Sequence, residues 1–190
     1  IDLGYQELGS NLVSVGGSYD YAGLGCTHHC PADVGILNKI PGLEIVVPGH
    51  KSEFNTLLLS NYNNSKTTYY RLSENSNDEE YQVEFGKNLK IKEGRDLTII
   101  AVGPMLKTVL EASKGLDVSI IYCTTVKPFD VDSIKGISPK ILIAEPYYSG
   151  PILRNIEQSL GGLNGNFSCI GVPDEFIRKY GDKESIDTLL

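Results

Sequence analysis

The run CTHHC, Cys26 to Cys30, places two thiols and two imidazoles within five residues. Thiolate and imidazole are the ordinary ligands of structural zinc, but such sites draw two close pairs from segments separated by a longer loop. Five successive residues rarely wrap one ion with all four side chains, and His50 is the only other histidine. No metal site is therefore assigned to this run. A glycine-rich stretch, GGSYDYAGLG (16–25), leads directly into it. It has neither the spacing of a dinucleotide fingerprint nor the Gly-Lys-Ser/Thr of a P-loop. It reads as a loop whose backbone bends sharply or approaches a ligand. His28 then stands where a glycine loop joins a helix, and ligand sites of open α/β sheets lie beyond the carboxyl ends of their strands. That makes His28 the candidate for proton transfer near pH 7.

Two further positions carry usable chemistry. Arg71, late in the run TTYYRLS, is either a surface arginine on a strand edge or a planar fork for a phosphate or carboxylate. Glu145 and Tyr147 follow the apolar run KILIA. A carboxylate there either caps a neighbouring helix or lines an interface. The mixed charges Asp174, Glu175, Arg178 and Lys179 read as a solvated turn.

The elements that must position these residues alternate in type. Strands are expected at 11–17, 43–49 and 67–73, with helices at 31–40 and 51–62, the second capped by Ser52. Residues 74–96 are polar and charged, and the domain boundary is placed there: a first domain over 1–75, a linker over 76–92 and a second domain over 93–190. Alternation resumes with strands at 97–103, 118–126, 140–146 and 168–173. Helices are expected at 104–115, 130–137 and 152–163, with a terminal one near Lys183. Near-continuous apolar strands alternating with helices argue an α/β fold of two open, mostly parallel sheets with helices on both faces.

Composition limits the partners. The 190 residues carry a net charge of −7, which disfavours nucleic acid. No apolar run approaches the ~20 residues that span a bilayer. Four cysteines are too few for a disulfide framework, and the opening IDLGYQELGSN has no secretory signal, so a cytoplasmic location is expected. Cys123 and Cys169 read as small core hydrophobes. The absence of an initiator Met suggests a piece of a longer protein.

The ordered run GLGCTHHCPADVGILNKIPGLEIVVPGHKSEF (23–54) resembles the transketolase family, which includes transketolases, deoxyxylulose phosphate synthases and the β subunits of 2-oxoacid dehydrogenases. TVKPFDVDSI (125–134), AEPYYSGPILRNI (144–156) and GVPDEFI (171–177) extend the likeness over essentially the whole chain. The resemblance implies the end of a pyrimidine-binding domain followed by a transketolase C-terminal domain. It implies a parent enzyme that uses thiamine diphosphate with Mg²⁺ or Ca²⁺ to transfer a two-carbon ketol unit between sugar phosphates. The alternatives are condensation of pyruvate with a triose phosphate and a non-catalytic assembly role. By the same resemblance His28 faces the thiazolium and substrate, and Arg71 binds a substrate phosphate. Gly25 and Thr27 shape the loop. The cofactor-activating Glu lies upstream of Ile1. The diphosphate and metal sites belong to another domain, fused or on a partner chain, in a homodimer or larger assembly. This chain alone is then expected to be inactive. Leu24 stands where many transketolases carry a substrate-binding Asp, and Ala32-Asp33 replaces an acid pair.

Overall fold

A computed structural model describes residues 1–160, 165–178, 180–182 and 186. The strands are β1 (Ser10–Ser14), β2 (Glu44–Val46), β3 (Thr67–Arg71), β4 (Leu89–Lys92), β5 (Leu97–Val102), β6 (Val118–Cys123), β7 (Thr125–Lys127), β8 (Lys140–Tyr148) and β9 (Asn166–Val172). The α-helices are α1 (Asp33–Leu37), α2 (Lys51–Asn61), α3 (Met105–Ala112) and α4 (Pro151–Leu160). They build two sheets, ordered β1-β3-β2-β7 and β4-β6-β5-β8-β9. Each sheet is parallel except for one antiparallel edge strand, β7 in the first and β4 in the second. This is the expected α/β architecture. All five residues of β3 and all six of β6 are buried, as strands covered on both faces must be.

The two sheets share one core. Ile45 and Val47 from the first half pack with Ile100, Ile121, Phe129 and Ile143 from the second. The seam between them is close enough to require glycine. Gly103 has φ +52°, and a Cβ on it would stand 2.7 Å from the Val47 carbonyl oxygen. A Cβ on Gly49 would stand 2.7 Å from the Gly103 carbonyl oxygen and overlap Asn77 and Tyr122. Polar groups close the same seam. Buried Glu53 on α2 accepts from the Tyr122 hydroxyl (2.6 Å), Gly49 N (3.0 Å) and Tyr81 N (3.1 Å). Asn77 donates to the Tyr122 oxygen at 3.2 Å and accepts from Lys107 N at 3.1 Å. Burial first, then the Glu53 carboxylate, holds the Tyr122 phenol far above its ordinary pKa.

Several elements differ from expectation for local reasons. The run 118–126 is not one strand: the chain leaves the second sheet after Cys123, and Thr125–Lys127 pairs with β2. The polar stretch 76–92 is not bare linker. Tyr81, Val83 and Phe85 alternate with exposed neighbours and pack on apolar clusters, and Leu89–Lys92 pairs with β6. The cap of α2 is His50, whose Nδ1 accepts from Ser52 N at 3.2 Å, rather than Ser52. Helix α1 stops at Leu37 and leaves Ile36 exposed. Residues 130–137 form a 3₁₀ turn over Val131–Ile134. The helix expected near Lys183, the end of the one expected over 152–163, and Lys179 lie outside the described residues.

Candidate functional site

The parallel strands β1 and β3 end side by side at Ser14 and Arg71, and the glycine loop starts from that edge. It makes two 3₁₀ turns, Ala22–Leu24 and Cys26–His28, hinged at Gly25. Gly25 has φ +77°, and a side chain there would overlap the Tyr180 ring. Both facts require glycine. The loop is closed by Cys30 N donating to the Ser18 carbonyl at 2.7 Å. This fold presents His28 at the surface, with Nδ1 3.1 Å from Thr27 Oγ1. Either atom can carry the hydrogen, so the ring retains a nitrogen for proton exchange in both tautomers.

The neighbouring ligand-type residues behave differently. His29 is half-buried, and neither ring nitrogen has a protein partner. Burial, then the nearby His28, lowers its pKa. Cys26 and Cys30 are exposed free thiols. Burial, then Asp33, raises the Cys30 pKa, which disfavours the thiolate. Among the described residues no three His, Cys, Asp or Glu side chains converge as a metal-ligand set. Leu24 is exposed.

Arg71 is not where a substrate fork would be. Its side chain is 1% exposed. Nε donates to Asp33 Oδ2 at 2.8 Å, and Nη2 donates to Ser18 Oγ at 2.8 Å. The guanidinium lies over the Tyr147 ring at 5.4 Å. A Cβ on Gly17 would stand 2.6 Å from Nη1. Asp33 Oδ2 also accepts from the Tyr69 hydroxyl at 2.8 Å, and that oxygen is 2.7 Å from Ser14 Oγ. The arginine therefore ties β1, β3, α1, the glycine loop and β8 together from inside. In sequence Asp33 reads as the remnant of an acid pair. The structure makes it the counter-ion of a buried cation, a partnership that the 38 residues between them hide from local pattern.

Glu145 resolves in favour of the cap. It is 1% exposed, and its oxygens accept from Gly150 N (2.5 Å) and Ile152 N (3.0 Å), at the start of α4. Burial raises its pKa to about 7 against the two amide donors, which oppose the shift. Tyr147 is fully buried. The Cys123 thiol donates to the Thr125 carbonyl at 3.3 Å, and burial raises its pKa.

A cavity of about 650 Å³ opens behind the loop, between its Ser18–Asp20 segment, the segment after β3, and the carboxyl ends of β5 and β8. His28 is not among its lining residues. No periodic pattern marks it in the sequence, because its walls come from both halves of the chain.

The family profile described as "Transketolase, C-terminal domain" matches residues 86–189. A protein of Rhodococcoides fascians described as an uncharacterized 33.6 kDa protein in the fasciation locus is 32% identical over 193 residues, covering 98% of this chain and 62% of the relative. An apulose-4-phosphate transketolase subunit of Phocaeicola vulgatus is 25% identical over 189 residues, covering 92% and 61%. A solved structure described as "Split gene transketolase, inactive beta4 tetramer" superposes with a TM-score of 0.75 at 20% identity, over 88% of this chain and 59% of that one. The chain thus spans less than two thirds of the length of each. On these matches the chain belongs to the transketolase family of thiamine diphosphate enzymes, as part of its C-terminal portion.

Proposed function

We propose that this chain serves a thiamine diphosphate-dependent transferase that moves a two-carbon ketol unit between sugar phosphates, with His28 as its proton-transfer residue. The observation that carries the reading is an exposed imidazole on a glycine loop at the carboxyl edge of a parallel sheet, in a member of this family. We assign residues 1–75 to the end of the pyrimidine-binding domain, 76–92 to a connection and 93–190 to the C-terminal domain. A relative named as one subunit of its enzyme and a solved likeness described as a tetramer support a partner chain or domain. That partner, or a second copy in a homodimer, completes the site. The setting is cytoplasmic.

The described residues fit one wall of the cofactor site and no more. His28 suits a reacting oxygen, and among the described residues no three His, Cys, Asp or Glu side chains gather as a ligand set. The diphosphate and its metal are assigned to the partner, so the isolated chain is inactive. Thiamine diphosphate supplies the electron sink for breaking the ketol carbon–carbon bond. His28 holds or delivers the proton at the substrate oxygen as its charge changes. Arg71 acts from behind: it fixes Asp33 and Ser18, and through Ser18 the base of the loop, and is a positioning residue rather than a phosphate clamp.

The test is His28→Ala in the assembled enzyme. Ketol transfer should fall by about 10²–10⁴-fold, the usual share of general acid–base catalysis, with cofactor affinity unchanged. Unaltered transfer would remove His28 from the mechanism.

A further inference from the structure

The 650 Å³ cavity is the right size for a small metabolite, and its position follows from topology. The parallel part of the second sheet runs β6-β5-β8-β9. From β5 the chain moves outward to β6, then returns past β5 to β8. The order reverses at the β5–β8 boundary, and open α/β sheets bind ligands beyond the carboxyl ends of strands at such a reversal. The last β5–β8 pair is Ala101 with Ala144. Directly beyond it lie Pro104, Met105 and Thr108 on one side and Glu145 and Pro146 on the other, all of them cavity wall.

Hydrogen-bond bookkeeping on that wall indicates what fits. The Ser18 hydroxyl hydrogen is directed to the Pro146 carbonyl, that of Ser73 to Asp20 Oδ1 at 3.0 Å, and that of Ser76 to the Gly49 carbonyl at 3.3 Å. Three lining serines have thus committed their protons inside the protein; Ser18 Oγ also accepts from Arg71 Nη2 and Ser73 Oγ from Asn75 N, so what these hydroxyls still offer a ligand is a remaining acceptor lone pair. Asp20, half-buried, adds a carboxylate to the wall, while the Glu145 oxygens are committed to Gly150 N and Ile152 N. Among the described residues of the wall the one cation, Lys107, is paired with Asp78 at 2.7 Å. The rest of the wall combines apolar Pro104, Met105, Ile170 and Val172 with the polar side chains of Tyr19, Asn75 and Thr108. Such a wall favours a ligand that brings hydrogen-bond donors and no negative charge. We infer that the cavity binds a neutral polyhydroxylated molecule, a polyol or unphosphorylated sugar, at a site separate from His28.

Met105 is the only methionine in the chain, so methyl-¹³C-methionine labelling reports on the cavity alone. Titration with xylitol, D-ribose and myo-inositol should shift that single resonance saturably for at least one of the three at concentrations up to about 10 mM. Ribose 5-phosphate should move it at least about tenfold less effectively, since its phosphate meets the Asp20 carboxylate and a lysine already paired. Asp20→Asn, and independently Thr108→Leu, which fills the space from α3, should each weaken the response about tenfold or more while leaving the unliganded resonance in place. The inference is overturned if none of the three polyols gives a saturable shift, if ribose 5-phosphate binds as well as ribose, or if Thr108→Leu leaves the response unchanged.

Discussion

Asp33→Ala separates the two accounts of Arg71. In the folded chain Asp33 Oδ2 takes hydrogens from both Arg71 Nε and the Tyr69 hydroxyl, each at 2.8 Å. Removing the carboxylate strands a guanidinium that is 1% exposed and a phenol beside it. A hydrogen bond involving a charged partner contributes about 1.5–3 kcal/mol, and breaking a buried ion pair by removing one member costs about 3–5 kcal/mol. The variant should therefore lose about 3–5 kcal/mol in urea unfolding, or roughly 6–20 °C in Tm for a chain of this size. The double variant Asp33→Leu/Arg71→Met leaves no uncompensated charge. It should recover most of the loss, giving a coupling of at least about 2 kcal/mol in the cycle. An arginine facing solvent and awaiting a phosphate would make an exposed pair worth only about 0.2–1 kcal/mol. A loss below about 1 kcal/mol, with no recovery in the double variant, would refute the enclosed pin and restore the clamp.

Glu145 and the seam give two further expectations. The folded-state pKa of Glu145 is raised to about 7 from 4.5, so between those values the folded chain holds the proton that the unfolded chain releases. This contribution to stability is complete below about pH 4.5 and is lost as pH rises through 7, about 3 kcal/mol in all; urea unfolding from pH 4.5 to 8 should show that decline, and Glu145→Gln should flatten it. Gly49→Ala forces a methyl against Asn77, Tyr122 and Gly103 and should cost about 1–3 kcal/mol by overpacking; a thermal shift within error of wild type would mean the seam is looser than described.

What is legible in the sequence is periodic or local. Apolar runs such as LTIIAV and VSIIYC are strands covered on both faces, and they point directly to the parallel architecture. His28 is legible as a candidate because a glycine loop, a histidine and a helix start sit together within a few residues. The sheet change at Thr124 leaves no mark, since no Gly or Pro separates the two strands. The alternation Tyr81-Val83-Phe85 is a readable period-two signal, masked by the acidic residues before it. Partners far apart in sequence are invisible: Asp33 with Arg71, and Glu53 with Tyr122, 69 residues apart.

Those long-range pairs also explain why His28 can stand exposed and still be held in place. The loop has little apolar packing, for both of its 3₁₀ turns together bury one apolar side chain, Ala22. Its geometry comes from below. Arg71 holds Ser18, whose carbonyl takes the hydrogen of Cys30 N, two residues past His28. Arg71 is in turn fixed by Asp33 and by Tyr147 of β8. The second half of the chain thus reaches the His28 loop through the buried cation under the Tyr147 ring and through the Pro146 carbonyl, which accepts from the Ser18 hydroxyl, and Glu53 and Tyr122 join the same two halves elsewhere along the seam. Loosening the Glu53 pair by Tyr122→Phe should on this logic leave the loop anchored, because the Arg71 contacts do not pass through Tyr122. Losing Asp33 frees Arg71 on one side and should loosen the loop even where the seam stays closed, the Ser18 contacts to Arg71 and Pro146 remaining. The order of the effects on His28 therefore follows from which of the two buried pairs is broken, not from its distance in sequence.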